Sequence, residues 1–221
     1  VYDMSDDEII NLAKENQLDI AVDLTGLTKY SRNNLFYNRV APVQINYLGF
    51  PGTSGLNSMD YILADKNVIK ENEKKYFTEN VHYLPDCYIP SVNDISRRSS
   101  IKNCSRSEFG LPKNKIVFCA FHNPLKINPE IFSVWMNILK NTENSVIWIK
   151  ADQEKAIKNL KKEAEKREIN SDRIIFTDGI ENINDHLKRL KVADIFLDTY
   201  PYNSHSTVYD YLSADLPMII M

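Results

Sequence analysis

Three short stretches of this chain carry residue types that together could grip a phosphorylated ligand. The first, Asp198 to Asp210, reads D-T-Y-P-Y-N-S-H-S-T-V-Y-D and follows the apolar run Asp194-Ile195-Phe196-Leu197. Val208, Tyr211 and Leu212 then fall at helical spacing, so the polar elbow joins a buried strand to a helix. His205, Ser206 and Thr207 stand at the opening of that helix, where backbone N–H groups lack internal partners and the dipole favours an anion. A plainer reading makes Ser206 or Thr207 an ordinary helix cap. The second stretch, Phe121-His122-Asn123-Pro124-Leu125-Lys126, ends in a lysine just before Asn128-Pro129. Lys126 there can direct an ammonium at phosphate oxygens, with Asn123 as a side-chain donor; a solvated loop lysine is the bland alternative. In the third, His186 and Arg189 are three apart on one helical face and could frame a planar ring, although such pairs more often lie on the surface.

The elements around these stretches alternate. Ile116 to Phe121 reads as a strand, Asn128 as the cap of a helix through Leu139, and Val146 to Ile149 as a strand. A charged helix over Gln153 to Arg167 follows, then a strand over Arg173 to Thr177, a helix over Asn184 to Val192 and a strand over Asp194 to Leu197. A helix over Ser206 to Ala214 and a strand over Pro217 to Met221 complete the series. Repeated β-α units predict an α/β fold with a parallel sheet covered by helices on both faces. Ligands sit at the carboxyl ends of such strands, and all three stretches leave from there.

The first half is also α/β, with strands expected over Asp19 to Leu24, Val43 to Leu48, Tyr61 to Ala64 and Val81 to Leu84, and a short helix over Arg32 to Arg39. Leu48-Gly49-Phe50-Pro51-Gly52-Thr53-Ser54-Gly55 follows an apolar strand and would let backbone approach a ligand closely; an ordinary Pro-Gly turn is the alternative. Asp86 to Ser107 loses periodicity, which divides the chain into a lobe over 1–90, a linker over 91–107 and a second lobe over 108–221. Ser105-Arg106-Ser107-Glu108 matches a capping box opening the second lobe.

Net charge −3 and a pI near 5.9 exclude a basic nucleic-acid footprint. No apolar run reaches the ~20 residues of a membrane span, and Val1-Tyr2-Asp3 does not begin a signal peptide. Cys87, Cys104 and Cys119 lack C-x-x-C spacing, so they read as reduced cytoplasmic thiols rather than a disulfide framework or zinc site. There is no G-x-G-x-x-G and no G-x-x-x-x-G-K-[ST], which counts against dinucleotide dehydrogenases and P-loop NTPases. The chain starts without Met and stops within Pro217-Met218-Ile219-Ile220-Met221, as a fragment would.

Longer motifs carry a resemblance. D-L-T-G-L-T-K-Y-S-R-N (Asp23 to Asn33), A-P-V-Q-I-N-Y-L-G-F-P-G-T-S-G (Ala41 to Gly55), M-D-Y-I-L-A-D (Met59 to Asp65) and L-P-D-C-Y (Leu84 to Tyr88) lie in the first half. F-x-N-x-x-K-I-x-P (Phe121 to Pro129), H-L-K-R-x-x-x-A-D-I-F-L-D-T-x-P-Y-N (His186 to Asn203) and H-S-T-x-x-D (His205 to Asp210) lie in the second. In this order they resemble the O-GlcNAc transferases and SPINDLY-like proteins, whose catalytic region is a two-lobed GT-B glycosyltransferase. The resemblance implies a Rossmann-like nucleotide-sugar lobe and part of a second α/β lobe. It implies that Lys126, Ser206 and Thr207 hold the diphosphate with Asn123 assisting and His205 beside it. His186 would lie against the base with Arg189 close by, and Asp210 would take the ribose hydroxyls. Leu48, Gly49 and Pro51 would pack near the donor sugar, with Lys29 and Arg32 in the cleft.

The implied reaction is inverting transfer, without a metal, of N-acetylglucosamine from UDP-GlcNAc to Ser or Thr hydroxyls of proteins, with Lys126 as its chief catalytic group. Upstream tandem helical repeats are implied in the parent protein. Asn123 stands where the animal enzyme has a glutamine, Ile183 where it often has a basic residue, and the SPINDLY branch uses a fucose donor. GDP-fucose transfer, or a nucleotide-binding or partner-binding relic without turnover, therefore stay open at this point.

Overall fold

The computed structural model describes residues 1–90 and 104–220, divided into two compact units, Val1–Ser91 and Val92–Met221. The first unit is a four-stranded parallel sheet in the order β1-β2-β3-β4: Ile20–Asp23, Val43–Tyr47, Tyr61–Ala64 and Asn80–Tyr83. All four match the expected strands to within a residue or two at their ends.

A helix not foreseen, α1 (Asp6–Glu15), precedes them and buries Ile10 and Ala13 against Val40. Its signal was in the sequence: Ser5 and Glu8 form a reciprocal capping box, with Asp6 and Asp7 in the first turn. The expected helix over 32–39 contracts to α2 (Asn33–Tyr37).

The second unit is a five-stranded parallel sheet in the order β7-β6-β5-β8-β9. These strands are Ile116–Ala120 (β5), Ser145–Lys150 (β6), Ile174–Thr177 (β7), Ile195–Leu197 (β8) and Met218–Ile219 (β9). The connecting helices are α3 (Pro129–Asn141), α4 (Glu154–Glu165), α5 (Ile183–Leu190) and α6 (Val208–Ser213). Strand alternation sends Val117, Cys119, Val146 and Trp148 to one face, where they pack with Leu187, Leu190 and Tyr211. Phe118, Ala120, Ile147 and Ile149 go to the other, against Ile131, Phe132, Trp135 and Ala164. Because both faces are covered, the strands read as continuous apolar runs. The order reverses at β5, which puts the crevice of a doubly wound sheet beyond the carboxyl ends of β5 and β8.

Two expectations need correction. The linker was expected to run to residue 107, but 104–107 pack on the second unit. Arg106 donates to Val192 O and Lys115 O and pairs with Asp194, and Cys104 Sγ donates to Lys188 O. Residues 91–103 lie outside the described residues. The capping box at Ser105 opens only a 3-10 turn, Arg106–Phe109, closed by left-handed Gly110.

Candidate anion and nucleotide site

Lys126 lies in a 3-10 turn begun by Asn123, whose side chain accepts from Leu125 N at 3.0 Å. Asn123 Oδ1 therefore caps this turn. The lysine crosses from the β5 loop to the β8 loop: Nζ donates to Asn203 O at 2.9 Å and sits 4.1 Å from the centroid of the Tyr202 ring. Burial pulls its pKa below the usual lysine value, against an opposing pull from Asp198. This ammonium is partly desolvated, so its charge is felt more strongly than in bulk water.

The loop it reaches is held by residues that the sequence reading passed over. His122 is buried, donates from Nε2 to Leu197 O at 2.9 Å, and so presents Nδ1 as the acceptor for Ser204 Oγ at 3.3 Å. Buried Asp198 accepts from Thr199 N at 2.8 Å and Ser204 N at 2.9 Å. Burial, the largest influence, keeps the His122 pKa low. Asn203 Nδ2 donates to Thr199 O, and Asn128 Nδ2 ties the cap of α3 to Tyr200 O.

The expected helix start at Ser206 is corrected: α6 begins at Val208. Val208, Tyr209 and Asp210 donate to His205 O, Ser206 O and Thr207 O, so these first N–H groups are used in a tight turn. Thr207 makes no side-chain capping bond either. Ser206 and Thr207 are exposed. Half-buried His205 lies 5.1 Å from the Tyr202 ring; burial and then the Lys126 charge hold it towards the neutral form.

On α5, His186 and Arg189 do meet, but not as two walls of a ring slot. Arg189 is 1 % exposed, donates to Asp178 O at 2.9 Å and to His186 Nδ1 through Nε at 3.2 Å, and lies over Phe121 at 4.2 Å. Arg189 is thus a buttress behind the imidazole. Nδ1 is occupied as an acceptor, so the proton of neutral His186 is on Nε2, 3.9 Å from Asp210 Oδ2. Burial, then Arg189, then Lys150 lower the His186 pKa to about 4, which keeps a neutral, flat ring. A cavity of about 530 Å³ opens beside the β5 loop, lined by Asn123, Lys150, Asp152, Gln153 and Gly179 among others.

Leu48, Gly49 and Pro51 belong to the first unit. Leu48 has φ of 68°, and a Cβ on Gly49 would come within 2.2 Å of Thr25 O, so only glycine fits there. Buried Glu79 fastens the rest of the loop, accepting from Thr53 Oγ1 at 2.7 Å and Ser54 N at 2.6 Å. Arg32 is committed to Asp6 and Met4 O, while exposed Lys29 lies over Tyr30. Among the described residues no group of three or more His, Cys, Asp or Glu could hold a metal ion, and no helix is long and apolar enough to cross a membrane.

A doubly wound parallel sheet of this order is the fold of a GT-B lobe. Solved structures agree on the fold. An O-GlcNAc transferase mutant from Thermobaculum terrenum superposes with a TM-score of 0.86 at 24% identity, over 99% of this chain and 41% of that one. A glycosyltransferase from Rickettsia africae gives 0.63 at 10% identity, over 96% and 60%.

The profile of glycosyl transferase family 41 matches residues 5–97 and 90–221, and the chain belongs to that family. Its curated relatives include the probable UDP-N-acetylglucosamine–peptide N-acetylglucosaminyltransferase SEC of Arabidopsis thaliana, 34% identical over 99% of this chain and 22% of that protein. SPINDLY of the same plant, described by the same enzyme name, is 27% identical over 100% and 24%. The chain spans about a quarter of the length of these relatives.

Proposed function

We propose that this chain forms the donor-binding core of an inverting glycosyltransferase that moves N-acetylglucosamine from UDP-GlcNAc to Ser or Thr hydroxyls of proteins. Family membership and the names of the SEC and SPINDLY relatives support the donor and the acceptor class. The observation that carries the reading is Lys126, whose partly desolvated ammonium bridges from the β5 loop to the loop bearing His205, Ser206 and Thr207.

In the proposed step the acceptor oxygen forms a bond to the anomeric carbon as the bond to the diphosphate breaks. UDP leaves with the electron pair, the hydroxyl proton of the acceptor passes to the departing diphosphate or to water, and a single displacement inverts the centre. The charge that grows on the diphosphate would be met by Lys126, the Ser206 and Thr207 hydroxyls and Asn123, with His205 beside it, so we propose that no divalent ion is required. His186 would offer a neutral face to the base, and Asp210, whose Oδ2 is 3.9 Å from His186 Nε2, would accept from ribose hydroxyls. The same reading places the protein in the cytoplasm, where nucleotide sugars and reduced thiols coexist.

Calorimetric titration of the chain with UDP and GDP tests the site, and GlcNAc transfer to a Ser/Thr peptide by the longer protein that contains it tests turnover. Selective UDP binding and transfer from UDP-GlcNAc are expected. Binding of neither nucleotide overturns the site, and preference for GDP overturns the donor.

A further inference from the structure

Lys150 ends β6 opposite Thr177 of β7, at the carboxyl edge where the loops of the site gather. Strand parity decides which way it faces. Val146 and Trp148 of the same strand pack on Leu187 and Leu190 of α5, whereas Ile147 and Ile149 pack on the opposite core. Lys150 follows Trp148 by two, so its side chain leaves the sheet on the α5 face, the face that carries His186. After burial, the Lys150 charge is one of the lesser influences that lower the pKa of both His186 and His122.

Lys150 also lines the cavity of about 530 Å³, together with Asn123, Asp152, Gln153 and Gly179. That space is ample for a nucleobase, and of its other polar groups Asn123 already accepts from Leu125 N. Gln153 heads α4 without making a side-chain capping bond, and a Cβ at Gly179 would meet nothing within 4 Å. A cavity with a few polar groups, at the sheet edge whose α5 face also carries His186, fits a planar heterocycle: Lys150 takes an edge, and the imidazole, which is not among the lining residues, would take a face.

We infer that Lys150 is a specificity-determining residue of the donor site, its ammonium donating to a carbonyl oxygen on the edge of the nucleotide base that lies against His186. This rests on the nucleotide-sugar reading above. It accounts for a lysine at a strand end that otherwise faces its own core, and it gives a carbonyl-bearing base an advantage over one that presents only amines and ring nitrogens there.

The test is calorimetric titration of wild type, Lys150→Met and Lys150→Arg with UDP and, by competition, with pyrophosphate. Methionine keeps the aliphatic stem of this half-exposed residue, so melting temperatures should match wild type. The expected result is UDP binding weakened about tenfold to a hundredfold in Lys150→Met, largely recovered in Lys150→Arg, with pyrophosphate unaffected. Unchanged UDP affinity in Lys150→Met overturns the inference and leaves the nucleotide site standing. An equal loss for pyrophosphate overturns it too, since the contact would then be to phosphate. Wild type that binds no UDP removes the donor reading and this inference with it.

Discussion

Replacing Lys126 with methionine separates binding from folding. In the protein the ammonium has two neutral partners, the Asn203 carbonyl at 2.9 Å and the Tyr202 ring at 4.1 Å. Exchanging them for a diphosphate converts a neutral acceptor into a charged one, and bonds of that kind contribute about 1.5–3 kcal/mol. Lys126→Met should therefore weaken UDP about 10- to 150-fold. Transfer from UDP-GlcNAc should fall further, by about 10²–10³, because the leaving group carries most charge in the transition state.

Stability should move the other way. Burial lowers the lysine pKa, so just below the unfolded lysine value the unfolded chain holds more protons here than the folded one, and stability rises with pH. At neutral pH the charged, partly buried lysine is a cost to folding, and Lys126→Met should melt at or above the wild-type temperature. UDP affinity in wild type should decline on going from about pH 7 to about pH 10, earlier than for an exposed lysine. Calorimetry and thermal melts on the two proteins suffice. Wild-type UDP affinity in a folded Lys126→Met protein would refute the site, whatever the melting data show.

Other outcomes follow from the geometry. Gly49→Ala forces a Cβ to within 2.2 Å of Thr25 O, so the first unit should lose more than about 3 kcal/mol in denaturant melts or fail to fold. His186→Phe keeps a flat ring but takes the acceptor away from buried Arg189, and chemical denaturation should report a loss of about 1–3 kcal/mol. In wild type the same histidine has a lowered folded pKa of about 4. The stability it contributes is full above the unfolded histidine value and is lost as pH falls towards about 4, which acid melts of wild type and His186→Phe should resolve.

Much of the second unit was legible because its strands are buried on both faces and its helices carry local start signals. Asn128-Pro129 ahead of Ile131, Phe132 and Trp135 named α3 directly, since both the cap and the apolar stripe are local features. What escaped was tertiary. Arg189 reads as a surface partner of His186 by spacing, yet the cover of Phe121 and the Asp178 carbonyl make it a buried prop. The first turn of α6 closes two residues late because Ser206 and Thr207 are drawn into i→i+3 bonds, which residue type does not announce. The helix at Asp6–Glu15 was there to be found, in Ser5 and Glu8. His122 gave no signal at all, for its partners Leu197 and Ser204 lie 75 and 82 positions away.

That last set of contacts matters to anyone who wishes to rebuild the protein. A designer who transplants the segment from Asp198 to Thr207 into a related lobe, in the hope of changing its donor, would carry Ser204 and leave behind the imidazole that receives its hydroxyl. The graft would then lack its fastening to the neighbouring strand and should lose its shape before any question of sugar preference arose. His122, Asp198 and Ser204 are one inheritable part, to be moved together or not at all.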